Sequence, residues 1–382
     1  MSRYKMSDVA VEINERENSP ATSKYDRFVG LEHYVSGDVI IRNFGSTERL
    51  ESTMKVFQNG DVLVARRNVY LKRASMVDFD GLTSGDSIVL RAKDPTIGRI
   101  LPFVLNTDDF WDFADQYSDG TMSKRLSPKT LMKYEFELPA EDELEAFADL
   151  LWTANDTKEA YQALLRQTDE LVKSQFIEMF GDCIKNDKEW NVRLLQDVLA
   201  EGCRVTYGIV KTEDDIPGGV PVFRPVDISQ GHIPTRSELK RTSKEISDQY
   251  KRTILKGDEL LITIRGSVGE TFQITKEFEG CNVARNIVPL RANTTILLQG
   301  FLKAVIDSVA FQEKIASITK GVALKGININ EFKVCPIILP PIEIQQQWVE
   351  FAQQTDKSKF ALKESIARIN DLMTSLMHQD FS

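Results

Sequence analysis

Gly257-Asp258-Glu259-Leu260-Leu261-Ile262-Thr263-Ile264-Arg265, followed by Gly321-Val322-Ala323-Leu324-Lys325-Gly326-Ile327 and then Leu339-Pro340, decides the reading of this chain because the series occurs twice. The earlier copy runs Gly60-Asp61-Val62-Leu63-Val64-Ala65-Arg66, then Gly120-Thr121-Met122-Ser123-Lys124-Arg125-Leu126, then Leu138-Pro139. The Gly-Asp pairs lie 197 positions apart and the later landmarks 201 apart, with 19 positions from glycine to proline in both copies. A repeated order at nearly constant spacing implies a repeated local fold and a pseudo-symmetric whole.

Working outward, each copy reads as a mixed α/β unit. Strands are expected at Val39 to Ile41, Val62 to Ala65, Ser75 to Val77 and Ser87 to Leu90, and a short amphipathic helix at Phe110 to Tyr117. The second copy repeats the plan at Val220 to Phe223, Glu259 to Ile264, Glu270 to Ile274 and Asn286 to Leu290, followed by a helix from about Leu297 to Ile318. β-branched and alternating apolar residues bounded by Gly, Asp and Asn carry the strand readings. The glycine of each Gly-Asp pair is expected at positive φ in a tight turn, a structural role with little catalytic information.

A long helical arm follows each copy. After Pro340-Pro341, the residues Ile344, Trp348, Phe351, Thr355, Leu362, Ile366, Ile369, Met373 and Leu376 follow heptad steps of four and three with one missing rung. After Pro139, a noisier seam runs through Phe147, Leu151, Ala154, Tyr161, Leu165, Thr168 and Val172 to Phe176, Met179 and Phe180. Its weak point is Asn155-Asp156-Thr157-Lys158, where no large apolar residue holds the stripe. Neither stripe is stable alone in water, so an antiparallel coiled-coil pair is expected; packing helices of a compact domain are the plainer alternative.

Charge is distributed unevenly. The net charge is -9. Residues 141 to 190 hold 5 Lys+Arg against 13 Asp+Glu, a net of -8, whereas residues 191 to 340 hold 20 against 17, a net of +3. Residues 1 to 140 hold 19 against 21, and residues 341 to 382 hold 4 against 6. A phosphate backbone attracts local cationic patches rather than whole-chain charge, so both globular copies remain eligible to touch DNA.

Enzyme signatures are missing from the sequence. There is no Gly-x-x-x-x-Gly-Lys-Ser/Thr phosphate loop, no Gly-x-Ser-x-Gly elbow and no Asn/Asp-Pro-Pro-Tyr/Phe stretch. Cys183, Cys203, Cys281 and Cys335 show no metal-ligand spacing, and His33, His232 and His378 are widely separated. The expectation is a non-catalytic chain with no metal and no cofactor of its own. Without an apolar signal core or a bilayer-length apolar run, it is expected to be soluble and cytoplasmic, with no membrane partner.

The duplicated units, the stretch Thr319-Lys320-Gly321, the run Phe332-Lys333-Val334-Cys335-Pro336-Ile337-Ile338 and the proline-led helices resemble the specificity subunit of type I restriction-modification systems. Arg265-Gly266-Ser267-Val268-Gly269 belongs to the same resemblance; the first copy matches less well. The resemblance implies an α/β (α+β) fold: two target recognition domains separated by two long antiparallel coiled-coil helices in a pseudo-twofold internal repeat. The boundaries are then 1–138 for the first recognition domain, 139–189 for the central helical spacer, 190–338 for the second domain and 339–382 for the C-terminal spacer. It further implies recognition of a bipartite, asymmetric site on double-stranded DNA and two methyltransferase (modification) partners carrying S-adenosylmethionine. Two restriction subunits using ATP and magnesium join where the system includes them. The alternatives are a stand-alone duplicated DNA-binding or scaffold protein and, more distantly, an S-adenosylmethionine enzyme.

Candidate DNA contacts are cationic and amide groups near turns: Arg66, Arg67, Asn68, Lys72, Arg73, Lys124 and Arg125 in the first copy. In the second they are Arg224, Arg265, Ser267, Arg285, Asn286, Lys320 and Lys325. Arginine can pair with guanine O6 and N7 and asparagine with adenine N6 and N7, while lysines in glycine-rich turns suit phosphates. Tyr70 and Tyr207 are candidates for stacking on bases, with packing on their own domain as the alternative.

Overall fold

The computed structural model describes residues 2–120, 124–211, 215–228, 234–321 and 325–378. Thr121 to Ser123, Val322 to Leu324 and His232, singled out in the sequence, lie outside the described residues. The chain divides into two compact units, one formed by residues up to Ala163 with those from Leu362 on, the other by Leu164–Ala361.

In unit 1 a four-stranded antiparallel sheet has the order Ala10–Ile13, Ser87–Ala92, Val62–Ala65, Ala74–Met76. The run Val62-Leu63-Val64-Ala65 is wholly apolar because both faces of the sheet are covered. Val62 and Val64 enter a core shared with the helices Pro95–Val104 and Asp108–Gln116, while Leu63 and Ala65 enter a second core with Val29, Phe57 and Phe79. Alternate side chains leave opposite faces of a strand, so a strand buried on both sides reads as a continuous apolar run. Each fully buried leucine or valine contributes about 1.5–3 kcal/mol relative to exposure. A five-stranded sheet, Arg16–Glu17, Met54–Phe57, Gly81–Thr83, Arg27–Val29, Gly45–Ser46, lies on that second side, and Ser2–Lys5 pairs with Glu135–Leu138.

Unit 2 repeats this topology with fewer strands. Leu260–Thr263 lies between Thr271–Gln273 and Ile287–Leu290, all antiparallel. Leu260 and Ile262 face the core of the helices Gln299–Asp307 and Val309–Ile318, and Leu261 faces a second core with Phe223 and Phe278. The parallel pair Arg27–Val29 with Gly81–Thr83 has its counterpart in Val220–Phe223 with Asn282–Val283. Asn191–Leu194 pairs with Pro336–Leu339 as Ser2–Lys5 pairs with Glu135–Leu138. The edge strand Ala10–Ile13 is reduced in unit 2 to the single bridge Leu199 to Ala292.

Two expectations need correction. Val39 to Ile41 forms no strand, only an isolated bridge from Ile40 to Met76. The helix expected from Leu297 to Ile318 is broken at Ser308, which has extended φ and ψ and caps the second segment by accepting a hydrogen bond from Phe311 N. A serine that satisfies a free backbone N–H favours a helix start over a helix interior.

Gly60 and Gly257 have φ of +88° and +89°, as a tight turn requires. The acidic partner, however, shifts by one position between copies. Asp61 is buried and accepts from Gln58 N and from both Nε and Nη2 of Arg91, each at 2.7 Å. In unit 2 the buried carboxylate is Glu259, which accepts from Lys256 N and Gly257 N, and not Asp258. The equivalence follows the residue preceding the central strand, because that position points into the turn.

The long helices are Leu144–Phe180 and Ile342–His378, each of 37 residues and therefore about 55 Å long at 1.5 Å per residue. Gly181 at φ +71° ends the first. Within unit 1, Leu144, Phe147, Ala148 and Leu151 share a core with Leu376. Within unit 2, Phe176 meets Trp348 edge-on at 5.2 Å and Lys359 pairs with Asp169, so the two segments run antiparallel. Of the seam, Phe147, Leu151, Trp348 and Leu376 are buried; Tyr161, Leu165, Val172, Ile344, Phe351, Leu362, Ile366, Ile369 and Met373 are half-buried. The polar stretch at the gap of the first helix is not solvent-facing throughout: Asn155 and Lys158 are buried. Gln345, unnoticed in the sequence, is fully buried and holds Leu298 N, Ile296 O and Pro340 O.

Candidate nucleic-acid interface

Each central strand delivers its next residues to a turn beside the Gly/Lys-rich stretch. Arg67 bridges to Arg125 in unit 1, and Arg265 bridges to Gly326 in unit 2. Arg66 N donates to Asp86 O as Ile264 N donates to Asn286 O, which makes Asp86 and Asn286 equivalent.

In unit 1 the turn is cationic in composition and internally neutralised. Arg67 Nε and Arg125 Nη2 both reach Asp86 Oδ1, at 2.9 and 2.7 Å. Arg66 Nε donates to Leu126 O, and burial followed by the neighbouring Arg125 holds its guanidinium below the ordinary value. Arg73 braces the same turn through Leu31 O and Arg67 O. Asn68 and Lys72 take the left-handed conformation, at φ 55° and 45°. Lys72 pairs with Asp108 and Lys124 with Asp115, each at 2.5 Å. Tyr70 is exposed beside them. Asn68 joins the sequence-predicted arginines here, whereas the two lysines are held on carboxylates of the helix Asp108–Gln116.

In unit 2 the equivalent turn is open. Arg265 and Arg285 are exposed, form no ion pair among the described residues, and line one hollow of about 390 Å³ with Tyr207, Val210 and Asn328. Gly266 at φ +84° turns the backbone at this point, and Ser267 is exposed with its carbonyl accepting from Thr263 Oγ1. Asn286 has a buried side-chain oxygen without a donor. Tyr207 also borders a second hollow with Lys251 and Arg252, so cationic and aromatic groups follow one another across this face.

The remaining candidates sit apart from that hollow. Arg224 is closed on its own loop through Asp227, whose hydrogen bonds hold the guanidinium above its ordinary value. Lys320 pairs with Glu331, and Lys325 lies at a separate hollow with Val268 and Gln312. Sequence reasoning missed Asp86 as the counter-ion and overlooked Lys251 and Arg252, although the run Tyr250-Lys251-Arg252 offered a signal. Among the described residues no group of three or more His, Cys, Asp or Glu is placed to hold a metal, and no helix is long and apolar enough to cross a membrane.

Fold and surface together define a duplicated α/β module in which each copy is followed by a long helix. Residues 187–371 match the family described as Type I restriction modification DNA specificity domain. With that match over a little under half of its length, spanning the second copy and most of the second long helix, the chain resembles the specificity subunits of type I restriction-modification systems. It is similar to the type I restriction enzyme EcoBI specificity subunit of Escherichia coli, 27% identical over 286 residues. That similarity covers 68% of this chain and 60% of the relative, less than two thirds of its length.

Solved structures extend the likeness to the first copy. The S subunit of a type I restriction-modification system from M. genitalium has a TM-score of 0.58 at 12% identity, covering 100% of this chain and 96% of that one. A chain from a structural study of complex assembly and conformational transition of the type I R-M system has a TM-score of 0.51 at 19% identity, covering 98% and 96%. At these identities the likeness is one of fold.

Proposed function

We propose that this chain is the sequence-reading subunit of a type I restriction-modification complex, a non-catalytic chain acting in the cytoplasm. Each unit reads one half of a split, asymmetric site on double-stranded DNA. The long helices set the distance between the halves and hold two modification subunits, which supply the methyl donor and the adenine chemistry; restriction subunits join where the system has them. The observation that carries this reading is the recurrence of one turn, after the central strand and against the Gly/Lys-rich stretch, in two units whose side chains differ at that turn. Different side chains on one backbone plan would read different words.

Within that reading Arg265 and Arg285 contact base edges, and Asn286 orients the turn beneath them. Lys124, Lys320 and Lys325 contact phosphates and fix register, while Arg125 stays on Asp86. Arg66, Arg67 and Arg73 shape the first reading turn, and the recognition and spacer segments divide at 1–138, 139–189, 190–338 and 339–382.

The test is methylation mapping in cells that express the chain with its modification partner. Exchanging residues 191 to 338 for the counterpart of a relative is expected to change one half-site and leave the other intact. Alteration of both halves, or of neither, would refute the modular reading.

A further inference from the structure

The helical arms carry two hollows that the internal repeat makes equivalent. In unit 2, Asp169, Val172 and Phe176 of the first long helix face Trp348, Asp356 and Lys359 of the second. In unit 1, Asn370, Met373 and Met377 of the second long helix line a hollow of about 250 Å³ together with Lys158 of the first. Lys158 and Lys359 lie 201 positions apart, as do Asp169 and Asn370, and Asn155 and Asp356.

The two lysines have opposite surroundings. Lys359 pairs with Asp169 at 2.9 Å and with Asp356 at 3.6 Å. Both of those carboxylates are amides around Lys158. Lys158 is only 7% exposed, yet it forms no hydrogen bond or ion pair among the described residues. The other charged groups nearby are engaged or distant: Glu159 is held by Arg42 and Asn155, Asp108 by Lys72, and His378 by Asp109. Asp38 attracts Lys158 from beyond ion-pair distance and is itself half-buried. The Lys158 stem is thus buried while its ammonium reaches the hollow with no carboxylate at ion-pair distance among the described residues, a charge open to an added partner.

We propose that the unit 1 hollow receives an acidic side chain of a modification subunit, whose carboxylate pairs with Lys158. This rests on the partner reading proposed above. The mixed lining suits such a group: Phe103, Met373 and Met377 can cover a methylene stem while Lys158 meets the carboxylate. The unit 2 hollow closes the same charge internally and does not need one. The two partner copies are thus held differently, one through a carboxylate that pairs with Lys158 and one without such a pair.

The experiment measures partner binding to the full chain by native mass spectrometry and salt-dependent sedimentation, using the modification subunit itself as probe. Asn370→Asp supplies the missing internal carboxylate at an exposed helix position, and Lys158→Met removes the charge while keeping the stem. Each is expected to weaken one of two bound copies by about tenfold, equivalent to about 1.4 kcal/mol, whereas Asp169→Asn leaves both in place. Melting of the Asn370→Asp chain at or above the parent temperature shows that the loss is not unfolding. Wild-type affinity for both copies in Asn370→Asp and Lys158→Met overturns the proposal. So does reproduction of the loss by Asp380→Asn, which would place the carboxylate in this chain's own tail. Failure of the parent chain to bind any modification subunit overturns the partner reading, and this inference with it.

Discussion

The turn after strand Val62–Ala65 and the turn after strand Leu260–Thr263 share a backbone plan and differ in electrostatics. In the first, Asp86 gathers Arg67 and Arg125; in the second, the equivalent residue is Asn286, and Arg265 and Arg285 pair with no carboxylate among the described residues. One exchange of acid for amide at a duplicated position decides whether cationic side chains are spent on the protein or presented outward. The helical hollows make the same exchange in the opposite sense, with the cation that is unpaired among the described residues in unit 1. Duplication therefore preserved the scaffold, while single charges differentiated the copies.

Removing both free arginines should give the largest effect. Arg265→Ala with Arg285→Ala is expected to weaken binding of cognate duplex by at least about 30-fold, from about 1–3 kcal/mol for each base-contacting arginine. Fluorescence anisotropy at fixed salt measures it; a loss under threefold would remove this turn from the interface. The reciprocal exchange comes next. Asn286→Asp should give unit 2 the internal counter-ion of unit 1 and weaken binding by about tenfold, since each tenfold corresponds to about 1.4 kcal/mol.

Asp86→Asn should act in the other direction. With Arg67 and Arg125 released, the slope of log K against log salt should steepen by about one, while stability falls by only about 1 kcal/mol because the pairs are partly exposed. An unchanged salt slope would mean that this arginine cluster faces no phosphate.

The smallest effect concerns the buried network beneath the unit 1 turn, where Lys55 lies against Glu12 and donates to Ser87 O. Burial holds the Lys55 ammonium below its ordinary value of 10.5. The folded state then releases its proton before the unfolded state does, so stability rises with pH from the lowered folded value up to 10.5. Lys55→Met with Glu12→Gln should flatten that alkaline rise in urea titrations between pH 8 and 11, with a change near neutrality within about 1 kcal/mol.

Local signals accounted for much of the architecture. Val62-Leu63-Val64-Ala65 and Leu260-Leu261-Ile262-Thr263 were legible as strands because apolar β-branched runs bounded by Gly-Asp leave few alternatives. The long helices were legible from their stripes and leading prolines. The break at Ser308 was hidden because apolar periodicity continues through it and only backbone geometry reveals the cap. The short strands Ser2–Lys5 and Asn191–Leu194 were hidden because their partners lie 130 or more positions away.

The candidate interface was legible only as a set of residue types. Arg67, Arg125, Arg265 and Arg285 look alike in the chain, and nothing in their local spacing indicates which will meet a carboxylate. By itself the sequence determined that this protein is built twice, with strands and long helices at matching offsets, because periodicity and turn chemistry act over a few residues. Only the tertiary structure decided that Asp86 neutralises the turn of one unit while Asn286 leaves the other open, and that Lys158 is buried with no ion pair among the described residues. Charge compensation depends on distances of a few ångströms between groups far apart in sequence, and folding alone sets those distances.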